Sequence, residues 1–449
     1  MRRKMTDVLL RWKNDPGKVC LLIEGARQIG KTYIIDEFAR SNYDYYAHLD
    51  FAINPEYAAI FDGSLETKDV LNKLSGYFPA FRAEKGRSMI FLDEIQRCPD
   101  ARAALKPLAI DGTVDVVASG SLLGLNYGNR FQLPVGYEHK VSMKSMDFEE
   151  FLWAFGISEQ YIAEIRDCIR MRIPLEESVL KRMEHFFTQY MLTGGMPKAI
   201  LTLFATNSLG AVRDVQQDIL NGYRGDVMQY APVPIKTKVA KCFDSIPAQL
   251  SRRSKKFRFT DVENRKNVGV REYEDALEWL FDAGIISFCR NMTQPAQPLM
   301  FNIRDGAFKV YMNDTGLLMC MLGQGPAMGI LNEDRSVNEG AAAENIVGEM
   351  LSKNGYPLLY YEKKGKMEID FILDPVNTLT AVEVKSGSGK ISPSMETLKK
   401  SVGGIGRWIM FENSNIFVDA AGTEHYPIFC AAFIDSMYEV LDVKMFPPI

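Results

Sequence analysis

Residues 25–32 read Gly-Ala-Arg-Gln-Ile-Gly-Lys-Thr, which fits G-x-x-x-x-G-K-[ST] at each fixed position. The context constrains the fold as much as the motif does. Val19–Glu24 is a short apolar stretch of strand type, and Tyr33–Arg40 continues as a helix. A strand running through a glycine-rich turn into a helix N-terminus is a ready-made anion site, because backbone N–H groups and the helix dipole converge on one point. The loop residues Gly25, Ala26, Arg27, Gln28, Ile29, Gly30, Lys31 and Thr32 are therefore the expected phosphate cradle. Lys31 carries a point charge to the β- and γ-phosphates, and Thr32 offers its hydroxyl to Mg²⁺. ATP and Mg²⁺ are the expected cofactors.

The first ~125 residues alternate strands and helices, the pattern of a parallel sheet covered on both faces. Strands are expected at Tyr45–Phe51, Ser88–Leu92 and Val114–Ala118, with a mostly helical stretch over Tyr57–Phe81. Ser88–Leu92 is apolar nearly throughout, as a strand buried on both faces must be. It runs directly into Asp93-Glu94, the Walker B arrangement. Asp93 is expected as an Mg²⁺ ligand and Glu94 as the group that orients or deprotonates the attacking water. The strand at 114–118 ends in Ser119-Gly120-Ser121. Either serine is placed to sense the γ-phosphate, or the segment is a simple Ser-Gly turn. Arg130, Arg224 and Arg27 are the candidates for an arginine that stabilises the transferred phosphate.

Length and composition set the remaining bounds. A chain of 449 residues exceeds one ordinary core and suggests two or three domains. No apolar run reaches the ~20 residues of a membrane span, so no membrane association is expected. The basic start Met-Arg-Arg-Lys has no long apolar stretch behind it, unlike a secretory signal. Seven cysteines, with no CxxC pair, suit reduced thiols and a cytoplasmic location. The net charge of -4 gives no global attraction to nucleic acid, so any DNA contact needs a local basic patch. Arg252, Arg253, Lys255, Lys256 and Arg258 form such a patch, readable as a backbone contact or, preferably, as a solvated basic turn.

From Met146 to Tyr230 the pattern is helical, interrupted at Thr193-Gly194-Gly195-Met196-Pro197, and Arg271–Ala283 is a further strong helix. The last ~120 residues form a separate α/β unit: a helix through Ala343, Ile346, Val347, Met350 and Leu351, then strands at Leu358–Tyr361, Met367–Leu373 and Leu379–Lys385. Alternation puts Glu383 and Lys385 on one strand face. Asp370 lies on the preceding strand and Glu344 on the helix. A helix acid, a hairpin aspartate and E-x-K resemble the nuclease core written PD-(D/E)xK, although Ile369 stands where that name has proline. In that reading Asp370 and Glu383 hold Mg²⁺, Lys385 stabilises charge or positions water, and Glu344 completes the site. A core whose catalysis has been lost is the alternative.

Taken together, the segments Gly-Ala-Arg-Gln-Ile-Gly-Lys-Thr, Ile-Phe-Leu-Asp-Glu-Ile-Gln, Ala-Ser-Gly-Ser, Met-Asp-Phe-Glu-Glu-Phe-Leu, Thr-Gly-Gly-Met-Pro, Asn-Asp-Thr-Gly-Leu and Val-Glu-Val-Lys-Ser-Gly resemble bacterial and archaeal AAA-superfamily ATP-binding proteins with a C-terminal domain of unknown function. The resemblance implies ATP binding and hydrolysis, and a winged-helix-like segment over roughly Lys236–Met321. The expected fold class is α/β: residues 1–230 as a P-loop NTPase sheet with a helical lid, 231–325 as the winged-helix-like segment, and 326–449 as an α/β restriction-endonuclease-like domain. The expected function is a Mg-dependent ATPase coupled to a nuclease-like domain acting on DNA, in a homo-oligomer. A nucleotide-dependent switch or scaffold, with an inactive nuclease-like domain that binds a protein partner, is the alternative.

Overall fold

The computed structural model describes residues 1–121, 136–252, 254–263, 270–331, 339–363, 367–375, 378–386, 399 and 403–434. One compact unit is built from Met1–Ser145, and a second from Met146–Phe281 and Ile285–Ile449.

The first unit opens with helix α1 (Lys4–Asn14), then alternates β1 (Cys20–Gly25), α2 (Lys31–Asn42), β2 (Tyr45–Asp50), α3 (Thr67–Tyr77), β3 (Ser88–Asp93), α4 (Pro99–Asp111), β4 (Asp115–Ser121) and β5 (Glu138–Ser142). The five strands form one sheet in the order β2-β3-β4-β1-β5, and every pairing is parallel. The expected helical stretch 57–81 resolves into a 3₁₀ turn at Pro55–Phe61 followed by α3. All six residues of β3 are buried, which is why its sequence is apolar without alternation. Leu22, Leu49, Ile90, Leu92, Val116 and Ala118 from four strands pack with Leu74, Leu105 and Leu108 of α3 and α4 in one core.

The second unit begins with five helices: α5 (Phe148–Ala154), α6 (Glu159–Met171), α7 (Glu177–Thr193), α8 (Pro197–Thr206) and α9 (Leu209–Tyr230). Residues 148–230, expected as a lid on the nucleotide domain, thus cluster within the second unit. Next come α10 (Lys236–Leu250), α11 (Thr260–Glu263), α12 (Val270–Asp282) and an antiparallel hairpin of β6 (Ile286–Met292) and β7 (Ile303–Met312). They are followed by α13 (Thr315–Leu322), α14 (Gln324–Leu331), α15 (Glu339–Lys353), β8 (Leu359–Lys363), β9 (Met367–Ile369), β10 (Phe371–Leu373), β11 (Thr380–Val384), β12 (Arg407–Glu412), β13 (Phe417–Val418) and β14 (Glu424–Pro427).

Two sheets organise this unit, β7-β6-β8-β9 and β10-β11-β12-β14-β13. The hairpin β6–β7 therefore shares a sheet with β8 and β9, across the expected boundary at 325/326. The stretch Met367–Leu373, expected as one strand, is two: β9 pairs with β8 in the first sheet, and β10 pairs with β11 in the second. Asp370 is the single residue between them.

Candidate functional site

The phosphate loop joins β1 to α2. Gly30, the N-cap of α2, has φ 91°, a backbone state that a side chain resists and glycine adopts freely. Arg3, buried, donates to Ile29 O at 3.0 Å and to Lys144 O at 2.8 Å, tying the loop to the irregular segment that follows β5. Lys31 is buried, and its Nζ donates to the loop's own Gly25 O at 3.0 Å and Ala26 O at 2.8 Å. Burial lowers this ammonium to about 8, opposed by the negative charges of Glu94 and Asp93.

Strand order brings the second motif to the loop. Asp93 closes β3 and is 2 % exposed. Its Oδ2 accepts from Thr32 Oγ1 at 2.8 Å. Its Oδ1 accepts a short hydrogen bond from Ser119 Oγ. Burial alone raises the Asp93 carboxyl, but the polar contacts of His48, Ser119 and Thr32 outweigh it and hold the group below the ordinary aspartate value. Ser119 thus engages the acid itself. Ser121 pairs in register with Gly25 across β4 and β1, and Gln96 Nε2 reaches its Oγ at 3.4 Å.

Glu94 has φ 54°, a left-handed conformation that costs a non-glycine residue about 1 kcal/mol or more and is typical of functional positions. Its Oε2 accepts from Gln96 Nε2 at 2.5 Å. Motif reading did not single out Gln96, nor two groups on the neighbouring strand. Register sets Asp50 beside Asp93 and His48 beside Phe91. His48 Nε2 lies 3.5 Å from Asp93 Oδ2, and its ring stacks on Phe91 at 4.5 Å. Among the described residues, His48, Asp50 and Asp93 are the one set of three potential ligands whose donor atoms all lie within 4.8 Å of one another. The hard oxygens of Asp93 and Thr32 suit Mg²⁺. Of the arginine candidates, Arg130 lies outside the described residues, and Arg224 pairs with Asp244 at 3.0 Å.

The C-terminal set is also brought together, with an addition. Asp370, at the break between β9 and β10, accepts from the Val384 amide at 2.9 Å. Lys385 Nζ donates to Glu383 Oε1 at 2.5 Å, while the buried Glu383 Oε2 has no hydrogen-bond partner. Glu344 on α15 accepts from Tyr311 at 2.5 Å and from Lys309 at 2.8 Å, and makes a short ion pair with Lys255. Burial and then the charges of Glu344 and Glu383 push the Asp370 carboxyl up to about 8. Burial acts in the same sense on Glu344, but Lys309 and Lys255 hold it down at about 2. The motif supplied Glu344, Asp370, Glu383 and Lys385; only the fold supplies Lys309 and Lys255. The basic stretch at 252–258 is likewise not a solvated turn throughout, since Lys255 turns inward to Glu344 and Arg252 pairs with Asp261.

Residues 18–152 match the family described as AAA domain. Residues 184–327 and 339–426 match two domains of unknown function, DUF8612 and DUF4143. No curated protein matches. Among solved structures, the Walker-type ATPase PABY2304 of Pyrococcus abyssi is similar at 12 % identity and a TM-score of 0.42, covering 72 % of this chain and 95 % of that one. The Aeropyrum pernix ORC1 protein, solved in complex with DNA, is similar at 12 % identity and a TM-score of 0.28, covering 73 % of this chain and 92 % of that one. Cdc6p from Pyrobaculum aerophilum is similar at 12 % identity and a TM-score of 0.26, covering 74 % and 92 %. The phosphate loop, the five-stranded parallel sheet and the match over residues 18–152 identify an AAA-type P-loop ATPase domain in this chain.

Proposed function

We propose that the chain binds ATP at Gly25–Thr32 and hydrolyses it with Mg²⁺. The observation that carries this reading is the joining of the two motifs at one point: Thr32, next to Lys31 in sequence, and Ser119 both hydrogen-bond Asp93, which Glu94 follows in sequence. Lys31 exchanges its contacts with Gly25 O and Ala26 O for the β- and γ-phosphate oxygens. Thr32 and Asp93 would hold Mg²⁺, which would supply neutralisation of the phosphate charge. Glu94 orients a water whose oxygen attacks the γ-phosphorus; its proton passes to the Glu94 carboxylate as the bond to the β-phosphate oxygen breaks and ADP leaves. Gln96, bonded to Glu94, fixes the orientation of that carboxylate. The test is ATP turnover in wild type and in folded Lys31→Ala, with and without DNA. Turnover that collapses in the variant supports the assignment; undiminished turnover overturns it.

A second reading concerns residues 326–449. Glu344, Asp370, Glu383 and Lys385 are the residues of a nuclease-like site, coupled to the ATPase through the winged-helix-like segment 231–325. The contact of Asp370 with the Val384 amide, the pairing of the flanking residues Glu383 and Lys385, and the unpartnered Glu383 Oε2 support it. Oxygen donors of this kind suit Mg²⁺ or Mn²⁺, and the metal when bound supplies charge stabilisation for phosphodiester cleavage. Asp370 and Glu383 are its holders here, Lys385 a neighbouring positive charge. The pairing of Lys255 with the buried Glu344, and of Arg252 with Asp261 at the surface, leaves less unpaired basic charge for a DNA backbone. Cleavage assays on duplex, single-stranded and branched DNA in Mg²⁺ and Mn²⁺ decide the matter. Cleavage lost in Asp370→Asn supports a nuclease; none under any condition favours the switch reading.

A further inference from the structure

We infer that Lys309 is a resident counter-ion of the C-terminal carboxylate site, and that a divalent cation reaches Asp370 and Glu383 only by displacing its ammonium. The inference rests on the metal-site reading just given and adds its regulation. Lys309 lies on β7, in the hairpin before the α/β part that carries the carboxylates, and its side chain is 1 % exposed. Its Nζ stands 2.8 Å from Glu344 Oε1, 2.5 Å from Glu368 Oε1 and 3.6 Å from Asp370 Oδ1. It also lies 4.9 Å from the centre of the Tyr360 ring, whose face attracts a cation. These partners come from α15, β9, the β9–β10 break and β8, so one ammonium is enclosed by three elements and the residue between two strands.

A buried lysine is strongly disfavoured unless paired, and this one is paired three times over. Lys255 adds a second inward charge on Glu344. Its segment is held beside β7 by Phe257 N donating to Phe308 O at 2.9 Å and by the bridge between Lys256 and Lys309. Four carboxyl groups, from Glu344, Glu368, Asp370 and Glu383, therefore face three ammonium groups, from Lys309, Lys255 and Lys385, with no metal needed for near balance. Ligation of a divalent ion requires converging oxygens with no competing cation between them. Among the described residues, no three of these carboxylates bring donor atoms mutually within 4.8 Å. One coordination point remains open: Glu383 is 4 % exposed, and its Oε2 has no hydrogen-bond partner although Oε1 holds Lys385. The donors are of the right kind, and the ammonium sits among them.

The test uses the full chain and Mn²⁺ alone, with free Mn²⁺ followed by electron paramagnetic resonance and folding checked by circular dichroism. Uptake at the phosphate loop is common to all variants, so the readout is the component that Asp370→Asn removes. Lys309→Met should bind Mn²⁺ at this component at least about tenfold more tightly than wild type, since a unit charge a few ångströms from the ion is removed. Lys255→Met, whose lysine is at the edge of the cluster, should tighten it by less. If wild type and Lys309→Met take up Mn²⁺ equally and Asp370→Asn removes it from both, the metal site stands and the counter-ion role is overturned. If folded Lys309→Met shows no Asp370-dependent uptake, both are overturned. Should Lys309→Met fail to fold, unchanged Mn²⁺ affinity in Lys255→Met overturns the counter-ion role.

Discussion

Thr32 Oγ1 donates to Asp93 Oδ2 across 2.8 Å, linking the first turn of α2 to the end of β3. A hydroxyl that serves both Mg²⁺ and this carboxylate should tolerate Thr32→Ser and not Thr32→Val, which keeps the shape and removes the donor. A hydrogen bond to a charged group contributes about 1.5–3 kcal/mol, so the Mg²⁺ needed for half-maximal turnover should rise by about tenfold or more in the valine variant. A Mg²⁺ titration of ATP turnover checks this; equal requirements in Thr32→Val and wild type would contradict it.

Gly195 marks a close backbone approach in the second unit. Its amide donates to Asp314 Oδ2 at 2.8 Å and its carbonyl accepts from Met146 N at 2.8 Å. A Cβ at this position would meet Met146 O at 2.0 Å. Because the obstacle is backbone, Gly195→Ala should destabilise the chain by about 1–3 kcal/mol or more, the cost of overpacking. Urea denaturation followed by tryptophan fluorescence measures it. A midpoint equal to wild type would show that this junction yields more easily than its geometry implies.

The same junction gives a pH dependence. Asp314 is buried and accepts from Gly195 N and Leu317 N; burial, then the charge of Glu349, raises its carboxyl from 3.8 to about 6. A folded value above the unfolded one means that protonation favours the folded state. The contribution is complete below 3.8 and is lost as pH rises through about 6. The stability penalty of Asp314→Asn should therefore be largest in acid and shrink across that window. A penalty that grows with pH would reverse the sign.

The nucleotide domain was readable in the sequence because its determinants are local. β3 is apolar for want of a solvent face, and Asp93-Glu94 follow it directly. β5 escaped notice: Glu138–Ser142 is an edge strand with a mostly exposed, polar pattern, so no apolar period announces it. His48 and Asp50 were invisible for a different reason, since only the β2–β3 register sets them beside β3 and its Asp93. In the second unit, the alternating stretch Met367–Leu373 reads as one strand because alternation does not say which sheet each half joins. Asp370 turning to the Val384 amide marks the change of sheet. Lys309 and Lys255 lie 35 and 89 residues from Glu344, and charge on a strand or turn reads as solvated until the fold buries it.

If ATP is held and hydrolysed where the two motifs meet, as proposed, Glu94 is the residue that separates holding from hydrolysis. Glu94→Gln keeps the side-chain shape and removes the base. ATP binding and steady-state turnover measured side by side on wild type and this variant give the most direct test. The expected result is retained ATP affinity with turnover lowered by about 10²-fold or more, the usual weight of a positioned base. Turnover at the wild-type rate in Glu94→Gln would contradict it.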